Sequence, residues 1–397
     1  MNSTFERLVD APIAPECFVS IVIPVRDEAE NLEKTLQAFA GQVDLQNRPL
    51  DSNIYELIVL ANNCRDRSAQ TARDWKKQNP KIKLHVAEIS LPKKFANIGY
   101  VRRRLMNEAF ERLKSNCSGG GIMATTDGDT RVAPDWIAAT IEEIERGADA
   151  VGGRILIEDE ELKRMDELAR YFHLRDEEYR LLVSEYECHL DSLPHDVRPR
   201  HHQHFNGSFA VTTEAFKLAG GIPDVEFLED VAFYHALLRV DAKFRHSPAV
   251  KVFTSARHLG RSAVGLSFQL NEWKKLGEAG ADYSVESADA IGKKLSARKI
   301  LREFWLAAKS NDYPQSETVS ALAETLCVPS GFVSGEIKKP QTFGSLMEKI
   351  YGRQNKSRRW HRRNPPVAVE AAIADLRVKL ESLRSENHLS ITKARWV

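Results

Sequence analysis

Asp127-Gly128-Asp129 is the triplet with the most chemical content in this chain. Two carboxylates one residue apart can anchor a hard divalent cation. Mg²⁺ in particular is commonly held by only one or two carboxylates, with substrate phosphates completing its shell. Gly128 lets the backbone turn tightly and leaves room for a ligand. Asp and Gly are also ordinary turn residues, so the meaning of the triplet depends on what positions it. A second candidate group is Glu229-Asp230, at the first turn of a predicted helix. A carboxylate there can accept a proton from a reacting hydroxyl, or simply complement the helix dipole. Lys93, Lys94 and Asn97 precede another predicted helix start, a place where phosphate binding is easy. Two lysines in a loop are more often just solvated.

The elements around these residues alternate. Residues 18–25, 55–61 and 84–89 are apolar, β-branched runs that read as strands buried on both faces. The run before Asp127 and residues 150–157 read the same way. Between them come amphipathic segments. Asp27 and Glu30 resemble a capping pair, with Leu32, Leu36 and Phe39 on one helical face behind them. A second helix runs through Trp75. A third opens at 92–99, with Val101, Leu105, Ala109, Phe110 and Leu113 as its apolar stripe, and a fourth spans 135–146. Five strand–helix alternations predict an α/β fold with a mostly parallel sheet flanked by helices. Strand carboxyl ends line the ligand crevice of such folds, and Asp127 falls at one. Residues 158–192 are highly charged and read as a surface helix or helix pair. A strand-like segment follows at 201–211, Thr212 caps a short helix ending at Gly220-Gly221, a helix runs from 227 to Leu238, and 244–254 is a last strand. From 262 onward the pattern is a helical region, with breaks near Gly280, Pro314, 329–335 and Pro365-Pro366. The expected organisation is a lead-in at 1–17, an α/β domain at 18–261 and the helical region at 262–397.

Charge excludes some functions. With 57 basic and 56 acidic side chains, no global argument for nucleic acid or membrane exists. A local one does: residues 353–363 hold six basic residues, no acid and one Trp. That run is a solvated linker or a candidate for peripheral membrane contact through anionic head groups; nucleic acid is not expected. The five cysteines are odd in number and form no C-x-x-C, so neither a disulfide framework nor a zinc site is suggested. His201, His202 and His204 lack the spacing of a metal motif and read as loop or substrate-lining residues. No secretory leader or membrane span is evident, which predicts a cytoplasmic protein, with peripheral membrane association through the basic run.

Several segments together resemble one family. They are 18–32 (FVSIVIPVRDEAENL), 56–72 (ELIVLANNCRDRSAQTA), 96–99 (ANIG), 125–136 (TTDGDTRVAPDW), Asn206-Gly207-Ser208 with Gly220-Gly221, and Glu229-Asp230. In this order they are similar to the family 2 glycosyltransferases of GT-A type, over about the first two thirds of the chain. The resemblance implies a GT-A (nucleotide-diphospho-sugar transferase-like, Rossmann-like) fold. It implies inverting sugar transfer from a nucleotide-sugar donor, UDP- or GDP-linked, to a hydroxyl acceptor, with Mg²⁺ or Mn²⁺ as cofactor.

The resemblance also implies roles. Pro24, Val25, Arg26 and Glu28 would line the nucleotide base and ribose. The family usually has Asp-Asp-Gly-Ser after its second strand, where this chain reads Ala61-Asn62-Asn63-Cys64. Asn62 can still hydrogen-bond a base edge, and Asp66 matches the acid that closes that segment. Asp127 and Asp129 would hold the metal, Asp129 directly, with Asp127 alternatively facing the ribose and Gly128 a further donor contact. His258 would complete the metal shell, and Arg257 and Arg261 would neutralise diphosphate charge. Lys94, Asn97 and Asn206 are further donor contacts. Asp230 matches the general base, and Glu229 would shape the site beside it. Two rivals stay open on sequence: a nucleotidyltransferase on a related scaffold, and a non-catalytic nucleotide-sugar-binding protein.

Overall fold

The computed structural model describes residues 7–116, 120–255, 265–339 and 341–394, without the side chains of 386–394. In chain order the elements are β1 (Val19–Val25), α1 (Leu32–Ala40), β2 (Tyr55–Asn62), α2 (Ser68–Gln78), β3 (Leu84–Ile89), α3 (Ile98–Asn116), β4 (Ile122–Thr126), β5 (Thr130–Val132), α4 (Trp136–Glu145) and β6 (Ala150–Ile157). There follow α5 (Asp159–Arg164), α6 (Glu167–Leu190), β7 (Ser208–Thr212), α7 (Thr213–Ala219), α8 (Glu229–Arg239) and β8 (Phe244–Thr254). The last part holds α9 (Leu266–Glu278), β9 (Ser284–Val285), α10 (Ala288–Lys309), α11 (Ser316–Thr325), α12 (Ser330–Ile337), α13 (Phe343–Ser357), α14 (Arg359–Arg363), β10 (Val367–Ala368) and α15 (Val369–Ala394). Contacts divide the chain into two units, residues 1–165, 203–238 and 242–269, and residues 166–202, 239–241 and 270–397.

The first unit is built on an eight-stranded sheet of order β3-β2-β1-β4-β7-β6-β8-β5. Its β1–β2, β2–β3, β1–β4 and β6–β8 pairs are parallel, and the other three are antiparallel. This is the expected α/β sheet, mostly parallel and flanked by helices. Strand order reverses at β1: β2 and β3 lie to one side, β4 to the other. A crevice outside the strand carboxyl ends forms at such a switch point, here between Val25 and Thr126. Every residue of β1, β2 and β4 is buried, which is why they read as unbroken apolar runs. Leu32, Leu36 and Phe39 of α1 are fully buried on the same core as Ile21, Ile23 and Trp136. Each such side chain contributes about 1.5–3 kcal/mol by leaving water.

Several local expectations are met. Thr212 caps α7 by accepting from the Ala215 N–H at 3.2 Å, and Gly220 ends that helix with φ +82°. Others need correction. Asp27 and Glu30 do not cap α1. The helix starts later, at Leu32, and its N-cap residue Asn31 makes no side-chain capping bond. Asp27 instead has φ +54° and accepts from the Arg65 N–H at 2.6 Å. Residues 92–97 form turns, and the third helix begins only at Ile98. β5 is a three-residue strand that the sequence reading missed; it pairs antiparallel with β8, and three residues carry too little periodicity to be seen.

The second unit is helical. Tyr179 and Tyr186 of α6 share one core with Ile291 and Leu295 of α10 and with Val369, Ile373, Leu376 and Leu380 of α15. The charged segment 158–192 is therefore not only a surface helix. Its acids are largely spent within the unit: Asp191 receives the guanidinium groups of both Arg298 and Arg302. Gly335 lies inside α12 rather than at a break, and β9 pairs with β10 in a two-residue ladder. Among the described residues no helix is long and apolar enough to cross a membrane. Among the described residues, Cys17, Cys64, Cys188 and Cys327 form no disulfide.

Candidate active site

The site is organised by α3, which two arginines fasten at opposite ends. Near its C-terminus, Arg112 donates from Nε and Nη2 to the two oxygens of Glu56 on β2, at 2.8 and 2.6 Å. Burial alone would raise the Glu56 carboxyl; the Arg112 fork, with His85, reverses this and holds it down to about 2. Near the N-terminus, Arg102 is only 3% exposed. Its Nη1 donates to Thr125 Oγ1 at 2.6 Å and to the Asn206 carbonyl at 3.2 Å, and its Nη2 to Asp127 Oδ1 at 2.6 Å. Its Nε lies 3.4 Å from Glu229 Oε1, an ionic contact without hydrogen-bond geometry. Asn206 Nδ2 donates to that same Glu229 oxygen at 3.3 Å. One guanidinium thus draws together β4, the loop before β7 and the start of α8. Burial works against its charge, and Asp127 and then Glu229 more than offset that, so it stays charged.

From sequence, Arg102, Arg103 and Arg104 are three successive arginines pointing in different directions, of which at most one or two could face a site; Arg102 is the one that reaches Asp127. The signal was present: Arg102 precedes Leu105, Met106 and Ala109 by three, four and seven positions, so it lies on the buried stripe of its helix. An arginine on that stripe, near a helix start at the crevice, needs an anionic partner.

Asp127 follows β4 directly and its side chain is 40% exposed. Gly128 turns the chain against β1. A Cβ there would meet Val25 Cγ2 at 3.1 Å and Glu28 Cγ at 3.2 Å, and its carbonyl accepts from Thr35 Oγ1 at 3.0 Å. Pro24, Val25 and Glu28 therefore lie beside the triplet. Asp129 lines a polar cavity of about 200 Å³ with Asn31, Lys34, Arg131, Glu158 and Thr254. Asp230 is half-buried at the start of α8, its Oδ1 accepting from the Val231 N–H at 2.8 Å. Burial first, and the neighbouring Glu229 second, push its carboxyl above the ordinary range. Leu228, just before this pair, has φ +56°, a conformation uncommon for a non-glycine residue. Gly99 on α3 lets the 223–228 loop approach: a Cβ at Gly99 would lie 2.9 Å from the Val225 carbonyl.

Other expected residues are engaged in holding loops. Asp66 accepts from the Ala29 N–H at 2.9 Å and from Ser68 Oγ at 2.5 Å, tying the loop after β2 to the loop after β1. With Asp27 and Cys64 it forms a group of three potential ligand atoms, but backbone N–H groups already occupy its carboxylates. Asn62 is buried at the end of β2. Arg26 donates to the Ala96 carbonyl at 3.1 Å. Asn97 Oδ1 accepts from the Tyr100 N–H at 2.9 Å, capping α3, and exposed Lys94 lies over Phe95. His204 stacks on Tyr234 with ring centroids 4.1 Å apart, and no His of the 201–204 group joins a three-ligand cluster among the described residues. Arg257, His258 and Arg261 lie outside the described residues.

The chain is similar to known proteins over part of its length. The sequence model described as Glycosyl transferase family 2 matches residues 20–192. A glycosyltransferase, AglE, of Haloferax volcanii is 28% identical over 139 residues, covering 35% of this chain and 39% of that protein. An undecaprenyl-phosphate 4-deoxy-4-formamido-L-arabinose transferase of Edwardsiella ictaluri is 27% identical over 135 residues, 34% of this chain and 36% of its own. The chain thus spans less than two fifths of the length of these relatives. Among solved structures, the mannosyltransferase PcManGT of Pyrobaculum calidifontis, in complex with GDP-Man and Mn²⁺, aligns with 98% of this chain and 83% of its own at 15% identity and a TM-score of 0.43. Residues 20–192 of the chain are thus similar to the segment described as Glycosyl transferase family 2.

Proposed function

We propose that the chain transfers a sugar, with inversion, from a nucleoside-diphosphate sugar to an acceptor hydroxyl, with Asp230 as general base. The observation that carries this reading is the Arg102 hub. It brings a carboxylate suited to the donor, Asp127, and the carboxylate next to the base, Glu229, onto one guanidinium. The relatives named for sugar transfer support the transfer of a sugar. UDP and GDP sugars are both candidates.

Asp127 and Asp129 fit a hard divalent cation, Mg²⁺ or Mn²⁺, by donor type: two carboxylates on one turn at a strand end, with phosphate oxygens to complete the shell. Bound there, the cation would stabilise the charge that develops on the departing diphosphate. The chain's own residues do the rest. Pro24, Val25 and Glu28 wall the nucleoside side of the triplet. Arg102 fixes the Asp127 carboxylate and denies it other rotamers. Asp230 accepts the acceptor's proton as its oxygen attacks the anomeric carbon opposite the diphosphate. Its raised affinity for that proton, caused by burial, makes it a better base once ionised. Asn206 and Glu229 hold the start of α8 in place.

A panel of UDP- and GDP-sugars, with and without Mg²⁺ or Mn²⁺, tests the reading through nucleoside diphosphate release. The expected result is cation-dependent release with at least one donor, and a product anomer inverted relative to that donor by NMR. Donor binding without release, even by slow hydrolysis, contradicts it.

A further inference from the structure

The basic run at 353–363 is not a loose linker. It occupies the end of α13 and all of α14, separated by Arg358 at φ +53°. Two buried side chains pin it from below. Trp360 is 2% exposed, packs with Ala290 and Cys327, and donates from Nε1 to Glu286 Oε1 at 3.0 Å. Gln354 is equally buried and donates to the Leu326 carbonyl at 2.8 Å. Above these anchors Arg353, Lys356, Arg358, Arg359, Arg362 and Arg363 are all exposed. Exposed Lys293 joins the same face, its Nζ 3.2 Å from Asn364 Oδ1. Glu324 lies 3.8 Å from Arg363 with both side chains more than half exposed, a pairing too loose and too wet to neutralise the face. A cavity of about 240 Å³ opens beside Arg359, with the Ser320 and Ser330 hydroxyls in its lining.

Six like charges held close on a folded surface repel one another, and an anionic partner relieves that repulsion. We infer that this face binds the anionic head groups of a membrane surface. A run of four to eight basic residues on a helix is the usual form of such a contact. Single-stranded nucleic acid fits less well, because sites for it combine cations with exposed aromatic platforms, and Trp360, the aromatic residue of this run, is buried. The inference concerns the helical unit and stands whether or not the sugar-transfer reading does.

The test is co-sedimentation of the full chain with vesicles of phosphatidylcholine alone or mixed with phosphatidylglycerol. Binding is expected only to the mixed vesicles, falling steeply as salt screens it. The triple change Arg358→Gln, Arg359→Gln, Arg362→Gln is expected to weaken binding by about tenfold or more, with thermal melting unchanged. Arg353→Glu with Lys356→Glu, away from the Trp360 anchor, gives the same loss if the triple variant melts early. Lys81→Gln with Lys299→Gln leaves binding intact. Equal binding to both vesicle types, no binding to either, wild-type affinity in both charge variants, or poly(U) binding that outlasts vesicle binding as salt is raised would overturn the inference.

Discussion

Arg102 Nη2 lies 2.6 Å from Asp127 Oδ1, and this contact joins a helix interior to the turn that carries the candidate donor site. The arginine is nearly inaccessible and the aspartate is not. The charge is therefore supplied from inside the protein, and the carboxylate is aimed from behind.

Arg102→Ala removes the partner of buried Glu229 and of Asp127 at once. Breaking a buried pair by deleting one member costs about 3–5 kcal/mol. Urea denaturation should show a loss of about that size. Arg102→Lys keeps the charge but not the planar fork. It should fold more stably than the alanine variant and still bind donor more weakly than wild type, as read by calorimetric titration.

Gly128→Ala tests how closely the triplet packs on β1. The new Cβ would sit 3.1 Å from Val25 Cγ2 and 3.2 Å from Glu28 Cγ. Overpacking of this kind typically costs about 1–3 kcal/mol. Melting should fall accordingly, with a loss of donor affinity larger than that of Gly41→Ala, where a Cβ meets nothing within 4 Å.

Position of the triplet was legible from the sequence because β1 and β4 are buried on both faces and read as unbroken apolar runs. Their parallel register, Val22 opposite Thr125, then sets Val25 beside Gly128 three residues on. Thr212, Gly220 and the start of α8 were legible because capping and turn residues act locally. The Asp27 and Glu30 pair misled for the complementary reason. Asp27 is claimed by backbone N–H groups of the loop after β2, a partner 38 residues away in sequence that no local pattern reveals. Arg102 was hidden among three consecutive arginines: Arg103 instead reaches Asp224 at 2.6 Å, and composition alone does not separate them.

The two carboxylates of the triplet should separate in metal titrations. Asp129→Ala is expected to raise the Mn²⁺ concentration needed for half-maximal diphosphate release by about tenfold or more, since the cation has one or two protein anchors to lose. Asp127→Asn keeps a hydrogen-bond acceptor for Arg102 and should retain most of the fold's stability while weakening donor binding. Equal metal dependence in wild type and Asp129→Ala would remove Asp129 from the metal shell.

Asp230 sets a pH dependence with a definite sign. Burial raises its folded-state proton affinity above the ordinary Asp value. Its contribution to stability is therefore fully present below the unfolded pKa and is lost as pH rises through the raised folded pKa. Activity runs the other way, because the base works only when ionised. Turnover should climb through that same window and then level off. Asp230→Asn should abolish the corresponding step in a stability–pH profile, and at neutral pH it should melt at or above wild type.

The most direct measurement is donor binding and turnover in Asp230→Asn with the nucleotide sugar that wild type accepts. The account predicts unchanged donor affinity and a fall in turnover on the order of 10²–10⁴-fold, the range for loss of a general base. Wild-type turnover with intact folding would contradict it and remove Asp230 from the chemistry.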